Sequence, residues 1–142
     1  MGNDDLFAEF DALFAGLARK SRPGRFEPNC DVCLTDDETI VVTVEIAGAE
    51  PNELRVLVDE RHLYIVGRRY DRDRSRRSSI LMKEIEYGDF AKKIRLPDAV
   101  AYEAATASYG DGLLIIRLPV SEASALPSVR TELRMTVKRI PV

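Results

Sequence analysis

The sequence predicts an all-β fold, an immunoglobulin-like antiparallel β-sandwich. From about Phe26 to Val120, apolar residues alternate with polar ones, and β-branched residues are common among them. A period of two places alternate side chains on opposite faces of a strand. Turn residues such as Gly48, Gly88 and Gly112 separate the alternating segments. About eight short strands with these breaks and no long interior helix are typical of two packed antiparallel sheets.

The composition fits one globular domain with short tails. Of the 142 residues, 45% are hydrophobic and 32% are charged, which supplies a core and excludes a disordered chain. The 21 basic and 24 acidic residues give a net charge of −3, so no global positive field attracts nucleic acid or an anionic membrane. No apolar run nears the roughly 20 residues that span a bilayer. Because acidic residues occupy the first turns in place of a signal peptide, we expect a cytoplasmic protein.

The first 20 residues predict a short amphipathic helix. Their apolar residues recur at spacings of one, three and four, which places them on one helical stripe. This N-terminal stripe consists of Leu6, Phe7, Phe10, Leu13, Phe14 and Leu17. Pro23-Gly24 then ends the pattern. An isolated helix this short is marginal in water, so we expect it to pack on something.

The strand segments follow in chain order, each bounded by turn residues. Their alternating apolar residues are Ile40, Val42, Val44 and Ile46; Leu54, Val56 and Val58; Leu63 and Ile65; Phe90, Ile94 and Leu96; Ala105, Ala107 and Tyr109; and Leu114, Ile116 and Leu118. In this pattern Arg55 and Leu57 fall on the face opposite to Val56. We expect the alternating set to form the core.

Cys30 and Cys33 have the C-x-x-C spacing of redox and zinc motifs. They fall inside a predicted strand, where residues at i and i+3 point to opposite faces. A zinc site needs about four ligands, and His62, the single histidine, is the only usual nitrogen donor. We therefore expect two half-buried strand cysteines, a surface histidine on a strand, and no metal or cofactor site.

The segment from Arg68 to Arg77 contains six arginines and two aspartates. Arginine runs contact phosphates, but only Tyr70 could stack on a base and the whole chain is acidic, so we disfavour nucleic-acid binding. Two interpretations of this segment remain: a solvated loop, or a loop that pairs with the sheet edge of a partner. We favour the second, because a bare edge strand is an aggregation hazard.

Residues 121–142 form an extension in which part of the chain could be a strand. Leu133, Met135 and Val137 alternate there with polar residues. The chain ends on Ile140-Pro141-Val142, and Pro141 keeps this ending extended. Apolar residues at i and i+2 of an extended segment face the same side, as in a short strand that docks two side chains into pockets. A frayed tail is the alternative.

Six sequence motifs, in order, resemble the small heat-shock protein (α-crystallin) family. The most specific is Ala107 to Leu114, followed by Ile116, Leu118 and Pro119, which resembles the A-x-x-x-n-G-v-L signature of the family. The others are Pro28 to Val32, Ala47-Gly48, Leu63 to Arg69, Glu84 to Pro97, and Ile140-Pro141-Val142. Each motif alone is weak, but six in the right order and spacing are a strong resemblance.

The resemblance implies an ATP-independent holdase, a chaperone that binds unfolding proteins and prevents their aggregation without enzymatic chemistry or a cofactor. It implies an arm over residues 1–26, an α-crystallin domain over 27–120 and a C-terminal extension over 121–142. The expected partners are unfolded client proteins and further copies, in a homo-oligomer built from dimers, with no nucleic acid and no membrane insertion. The alternative is a non-chaperone adaptor, a co-chaperone module that binds one defined partner.

The same resemblance suggests which residues make these contacts. The N-terminal stripe would bind clients, although a helix docked on its own domain is the alternative. The loop from Tyr70 to Ser79 would exchange between two protomers, through Tyr70, Arg72, Arg74, Arg76 and Arg77.

The terminal residues Ile140, Pro141 and Val142 would anchor one dimer to the next. The anchor would dock at the edge of a partner's sandwich, in a groove between two strands. That groove would be lined by Leu54, Val56 and Val58 from one strand and by Phe90, Ile94 and Leu96 from the other.

Overall fold

The part of the chain that the structure describes contains ten β-strands, and the segments with alternating apolar and polar residues are among them. The structure, a computed structural model, describes residues 25–59, 61–71, 79–96, 100–121 and 131–138. The strands are β1 (Arg25–Phe26), β2 (Cys30–Leu34), β3 (Thr39–Glu45), β4 (Arg55–Val58), β5 (His62–Arg69), β6 (Gly88–Arg95), β7 (Thr106–Gly110), β8 (Leu113–Pro119), β9 (Thr131–Leu133) and β10 (Met135–Val137). Two short 3₁₀ turns span Pro51–Glu53 and Tyr102–Ala104.

The strands form two five-stranded sheets that pack as a sandwich. Sheet A has the order β1-β6-β5-β4-β9, and sheet B has the order β10-β7-β8-β3-β2. Neighbours are antiparallel except at two edges, where β1 runs parallel to β6 and β10 runs parallel to β7. The predicted β-sandwich is confirmed. The sequence indicated about eight strands. The two residues of β1 are too few for a period to show, and the alternation over β9 and β10 predicted only that part of the C-terminal extension could be a strand.

The core lies between the two sheets and contains the residues that alternation predicted. In β3, Ile40, Val42 and Val44 are buried while the residues between them are partly exposed. Phe90 on β6 is fully buried, and its ring packs against Phe26 of β1 at a centroid distance of 5.4 Å. Gly67 is the β5 partner of Phe90, and a Cβ at this position would lie 2.4 Å from the ring. The glycine therefore makes room for the aromatic side chain.

Strands β4 and β5 depart from simple alternation. Leu57, Tyr64 and Val66 lie on the sheet A face that points away from the core cluster, yet all three are buried. Leu57 and Tyr64 are register partners on neighbouring strands. Sheet A is thus shielded on both faces at its centre, which the polar-out pattern of a two-layer sandwich did not predict.

The hairpin between β7 and β8 closes sheet B where the sequence predicted a turn. Asp111 and Gly112 both adopt positive φ, of 54° and 77°, the conformation of a two-residue hairpin turn. Nearby, the Tyr109 hydroxyl donates to the Ile46 carbonyl at 2.7 Å and accepts from the Ala49 N–H at 3.2 Å. Burial raises the pKa of this tyrosine, so the hydroxyl keeps its proton and remains a donor. These bonds tie β7 to the chain that leaves β3.

Among the described residues, no helix is long and apolar enough to cross a membrane.

Candidate interaction edges of the sandwich

The edge of sheet B at β2 is open. In the described part of the chain, β2 pairs with β3 on one side only, in the register Cys30↔Val44 to Leu34↔Ile40. Four of its five residues are exposed, and these include Val32 and Leu34. The exposed fraction of Leu34 is 60%. A five-residue edge strand with unpaired backbone groups and apolar side chains is a template for pairing with another strand.

The two cysteines lie on this edge strand. Cys30 is half-buried and packs against the core, as expected, whereas Cys33 is exposed. The expectation that both are half-buried is therefore wrong for Cys33, because no further strand of the described residues lies beside β2 to cover its outer side. No group of three or more metal-ligating side chains occurs within the described ranges. His62 begins β5 and is half-buried, and burial, followed by the nearby charge of Lys93, lowers its pKa.

A second exposed apolar segment follows the arginine loop. We call Ile80 to Ile85 the exposed apolar segment; Leu81 is 97% exposed and Met82 is 78% exposed. This segment forms no strand of its own in the structure. Sequence reasoning ended the dimer loop at Ser79 and missed these residues. The available signal was an apolar run, Ile80-Leu81-Met82, that no predicted strand had claimed.

The loop residues proposed for dimer contact are only partly within the description. Tyr70 is exposed, with the Arg68 guanidinium 5.6 Å from its ring centroid. Arg68 also pairs with Asp89, its register partner on β6, and this hydrogen bond raises the pKa of the guanidinium. Arg72, Arg74, Arg76 and Arg77 lie outside the described residues.

Polar contacts of Lys83, inside the exposed apolar segment, and of Arg69 tie this segment and the residues after it to the chain that precedes the arginine loop. The Arg69 guanidinium lies 4.6 Å from the Phe26 ring and 5.7 Å from the Tyr87 ring, and its Nε donates to the Glu86 carbonyl at 2.9 Å. Lys83 Nζ lies 3.3 Å from Asp71 Oδ2. Exposed ion pairs contribute little to stability. These contacts therefore orient the segment but add little to the free energy of folding.

The residues predicted for the anchor groove do not form a groove between their two strands. In sheet A, β5 lies between β4 and β6, so the two strands are not neighbours. All six predicted lining residues are members of the buried core cluster: Leu54, Val56, Val58, Phe90, Ile94 and Leu96. The groove as predicted is therefore wrong, because these side chains fill the sandwich instead of lining a surface. Ile140, Pro141 and Val142 lie outside the described residues.

The free side of β4 is covered by the C-terminal part of the same chain. We call Thr131 to Lys138 the C-terminal strap. Its first strand, β9, pairs antiparallel with β4 in the register Val56↔Leu133 to Val58↔Thr131. Its second strand, β10, pairs parallel with β7, and the Lys138 N–H donates to the Tyr109 carbonyl at 2.8 Å. The strand that alternation allowed here thus forms, and it spans both sheets.

Two strap side chains reach into the sandwich. Leu133 is only 8% exposed and belongs to the core cluster, and Met135 is partly buried against that cluster. They stand two residues apart with the exposed Arg134 between them. Both therefore face inward, as apolar residues at i and i+2 of an extended segment should.

The six residues of the N-terminal stripe lie outside the described residues, so their predicted role stays a prediction. The described chain begins at β1, which lies beside β6 at one edge of sheet A. The two sheets therefore include strands that lie before and after the predicted 27–120 domain in the sequence.

In the described part of the chain, the sandwich thus has an open edge at β2 and an edge at β4 that a short strand covers. An exposed sheet edge is a surface to which an extended strand can add. The model of the Hsp20/alpha crystallin family matches residues 32–134. The chain therefore belongs to the Hsp20/alpha crystallin family.

Relatives and solved structures agree with this assignment. Small heat shock protein C4 of Rickettsia felis is 29% identical over 132 residues, covering 89% of this chain and 78% of its own. Heat shock protein 16.0 from Schizosaccharomyces pombe superposes with a TM-score of 0.62 at 26% identity, covering 82% of this chain and 98% of its own. A small heat-shock protein from Xylella fastidiosa gives 0.59 at 27% identity, with 81% and 94% covered. Family and structures together support a chaperone role in general.

Proposed function

We propose that this protein is an ATP-independent holdase, a non-enzymatic cytoplasmic chaperone that works as a dynamic oligomer of dimers. Its partners are unfolded client proteins and further copies of itself, without nucleic acid, membrane insertion or a cofactor. The observation that carries the proposal is the coexistence of an open edge at β2 with the exposed apolar segment Ile80 to Ile85. Family membership supports the chaperone role, and this pair of surfaces supports assembly.

Dimer formation follows from the chemistry of these two surfaces. The β2 edge offers backbone hydrogen-bonding groups together with Val32 and Leu34, and the exposed apolar segment offers Leu81 and Met82. If the segment of one protomer pairs with β2 of its partner, both sets of apolar side chains leave water. The proposed exchange of the loop from Tyr70 to Ser79 would bring this segment to the partner.

Larger assembly depends on the terminal anchor. Ile140 and Val142 would each contribute roughly 1.5–3 kcal/mol if buried, before the cost of ordering the tail. One anchor is therefore weak and reversible, while many in one closed assembly gain from their high effective concentration. This combination supports exchange of subunits, and heat would loosen the assembly.

Client capture is assigned to the N-terminal stripe. Phe7, Phe10 and Phe14 present apolar area without directional groups, which suits clients that share no sequence. Pro23-Gly24 separates this stripe from β1, so the arm can leave the sandwich without disturbing the core.

The test is suppression of aggregation of a heat-unfolded model enzyme, followed by light scattering without ATP. The wild-type chain should suppress scattering, and F7S/F10S/F14S should suppress it several-fold less while the sandwich stays folded by circular dichroism. Phe→Leu at the same three positions is the matched control and should retain protection. Full protection by the serine variant would place client binding elsewhere. A wild-type chain that is monomeric or dimeric and gives no protection would favour the adaptor.

A further inference from the structure

We propose that the outer face of sheet A is a docking site for the N-terminal stripe of the same chain. In the docked state, the stripe and the sheet cover each other's apolar side chains. The docking stands on the sandwich and on the sequence of the arm. Its consequence, a client-binding surface that stays covered until the arm leaves, rests on the proposed function.

The outer face of sheet A has an apolar centre that is buried. We call its four residues the outer patch; they lie on β4, β5 and β6 and are Leu57, Tyr64, Val66 and Ala91. Leu57 pairs in register with Tyr64, and Val66 with Ala91, so the patch is continuous across three strands. None of the four belongs to the core cluster, yet none is more than 9% exposed and Leu57 is fully buried.

No strand of the described residues lies over the outer patch. Within those ranges, every strand belongs to one of the two sheets, and sheet B packs on the opposite face of sheet A. The exposed apolar segment is not the cover, because Leu81 and Met82 are exposed to solvent. Since the burial of Leu57 is that of a single chain, its cover belongs to the same chain.

The N-terminal segment has the apolar side chains that such a cover needs. Residues 72–78 are arginine, serine and aspartate, and residues 97–99 and 139–142 are too few to cover a patch on three strands. In residues 122–130 the large apolar side chains are Leu126 and Val129 alone. The N-terminal stripe offers six leucine and phenylalanine side chains on one helical face.

The position of β1 allows the arm to reach this face. In the order β1-β6-β5-β4, three interstrand spacings of about 4.8 Å, together roughly 14 Å, separate β1 from Leu57. Residues 18–24 can extend over roughly 23 Å. A helix over residues 6–17 would be roughly 18 Å long, which is enough to cross β4, β5 and β6.

The rim of the outer patch is basic. Arg55 on β4 and Lys93 and Arg95 on β6 alternate with patch residues, so they project from the same face, and all three are exposed. Lys93 Nζ lies 5.6 Å from the centroid of the Tyr64 ring. An apolar centre with a basic rim favours an apolar partner that carries acidic groups at its borders.

The acidic residues of the same face leave this rim positive. Asp89 is paired with Arg68, and Asp59 accepts a hydrogen bond from the Tyr64 hydroxyl at 2.6 Å. Glu132 lies on β9, at one edge of the face. These carboxylates are fewer than the basic groups around them, so the face keeps a net positive charge.

The arm carries the matching charge. At about 100° per residue, Glu9 and Asp11 fall on either side of the N-terminal stripe, and Asp4 and Asp5 precede it. A helix with an apolar face between carboxylates is thus complementary to the outer patch in both polarity and charge.

The experiment compares single thiols on the two faces of β4. In a C30S/C33S background, L57C places a thiol in the outer patch and V58C places one in the core; both native side chains are fully buried. With the native arm, both thiols should react slowly with the thiol reagent DTNB. Adding F7S/F10S/F14S should speed the reaction of L57C at least tenfold and leave V58C slow, because only the outer patch loses its cover. F7L/F10L/F14L is the matched control and should keep both slow.

A charge reversal tests the fit of the rim. K93E/R95E should speed the reaction of L57C several-fold, and the further change E9K/D11K should restore the slow reaction. R117E, an exposed arginine of sheet B, is the control and should leave the rate unchanged.

Three results would overturn the proposal. One is an L57C thiol that stays slow in the serine variant, which would show that another segment covers the patch. Another is a rate for the native arm that rises on dilution, which would show that a second copy supplies the cover. The last is failure of E9K/D11K to restore the slow reaction.

Aggregation assays on the same variants test the client role separately. Since K93E/R95E releases the arm, it should suppress aggregation at a lower temperature than the background does. Arm-dependent protection of L57C without any suppression of aggregation would support the docking and contradict the holdase.

Discussion

Two edges of this sandwich, at β2 and at β4, differ in whether a strand of the same chain covers their outer side. Among the described residues, both strands lack a long neighbouring strand on one side. β2 is left open, with Val32 and Leu34 in solvent, whereas β4 is capped by the strap and gains Leu133 in the core. The difference teaches that one chain can leave one edge of its sandwich open while closing another with its own residues.

The first way to break this comparison is to remove the surface proposed to fill the β2 edge. L81S/M82S should convert dimers into monomers and so remove every larger assembly. Since Leu81 is almost fully exposed within one chain, the change should leave the fold of the single sandwich intact. Sedimentation should show about half the dimer mass. L113S, at another exposed apolar position in the described part, is the matched control and should keep the wild-type mass.

The second prediction concerns the chain terminus alone. Deleting residues 139–142 removes Ile140 and Val142 but keeps the whole strap. We expect assemblies larger than dimers to disappear while the dimers persist, because the β2 contact is untouched. Light scattering measures the change, with P141A as a control that keeps both apolar residues. A truncated chain of unchanged mass would exclude the terminal anchor.

The third prediction compares matched leucines at the two edges. L133A should lower the free energy of unfolding by about 2 kcal/mol, the low end for a buried leucine, because the strap is short. L34A should change it by less than about 0.5 kcal/mol, because that side chain is 60% exposed. Urea unfolding measures both. To exclude dissociation as the cause, both are measured in the monomeric L81S/M82S background. Equal losses would mean that the edges do not differ.

The smallest effect concerns Asp59, which follows β4 at its turn into β5. Its Oδ1 accepts from the backbone N–H groups of Arg61 and His62 at 2.9 and 2.8 Å, and its Oδ2 accepts from the Tyr64 hydroxyl at 2.6 Å. Burial raises the pKa of this carboxyl, but the hydrogen bonds outweigh burial and the net pKa is lowered. D59A should therefore cost about 1 kcal/mol at neutral pH.

The sign of the pH dependence follows from that lowered pKa. A carboxyl whose pKa falls on folding stabilises the protein above its unfolded pKa, about 3.9, and loses this contribution as pH falls through the folded value. The deficit of D59A relative to wild type should be constant above about pH 5 and shrink below about pH 4. Urea titrations across this range measure it, and a deficit independent of pH would contradict the assignment.

Much of the sandwich was predictable because burial imposes a period of two. The alternation of Ile40, Val42 and Val44 predicted one face of a strand, and these residues form one face of β3. The burial of Leu57 was not predictable, because its face of sheet A is also buried. Alternation in a sequence cannot show that both faces of a sheet are covered. The positive-φ turn at Asp111-Gly112 was predictable because glycine marks it.

The interaction edges were less predictable, since an edge is a property of strand order. Nothing local to Val56 or Phe90 states that β5 lies between their strands, so the anchor groove was misplaced. The strap was visible as the alternation of Leu133, Met135 and Val137, but its partners, β4 and β7, are distant in sequence. The exposed apolar segment was missed because it pairs with no strand inside the described part of one chain.

Hydrogen exchange at the two edges tests the central claim most directly. In the wild-type protein, the amides of β2 and β4 should both be protected, β2 by its partner and β4 by the strap. In L81S/M82S, protection should be lost at the β2 amides that point away from β3 and kept at the β4 amides that point toward the strap. Protection at β2 that is the same in both proteins, or β4 amides that exchange as fast as those of an open β2, would contradict the account.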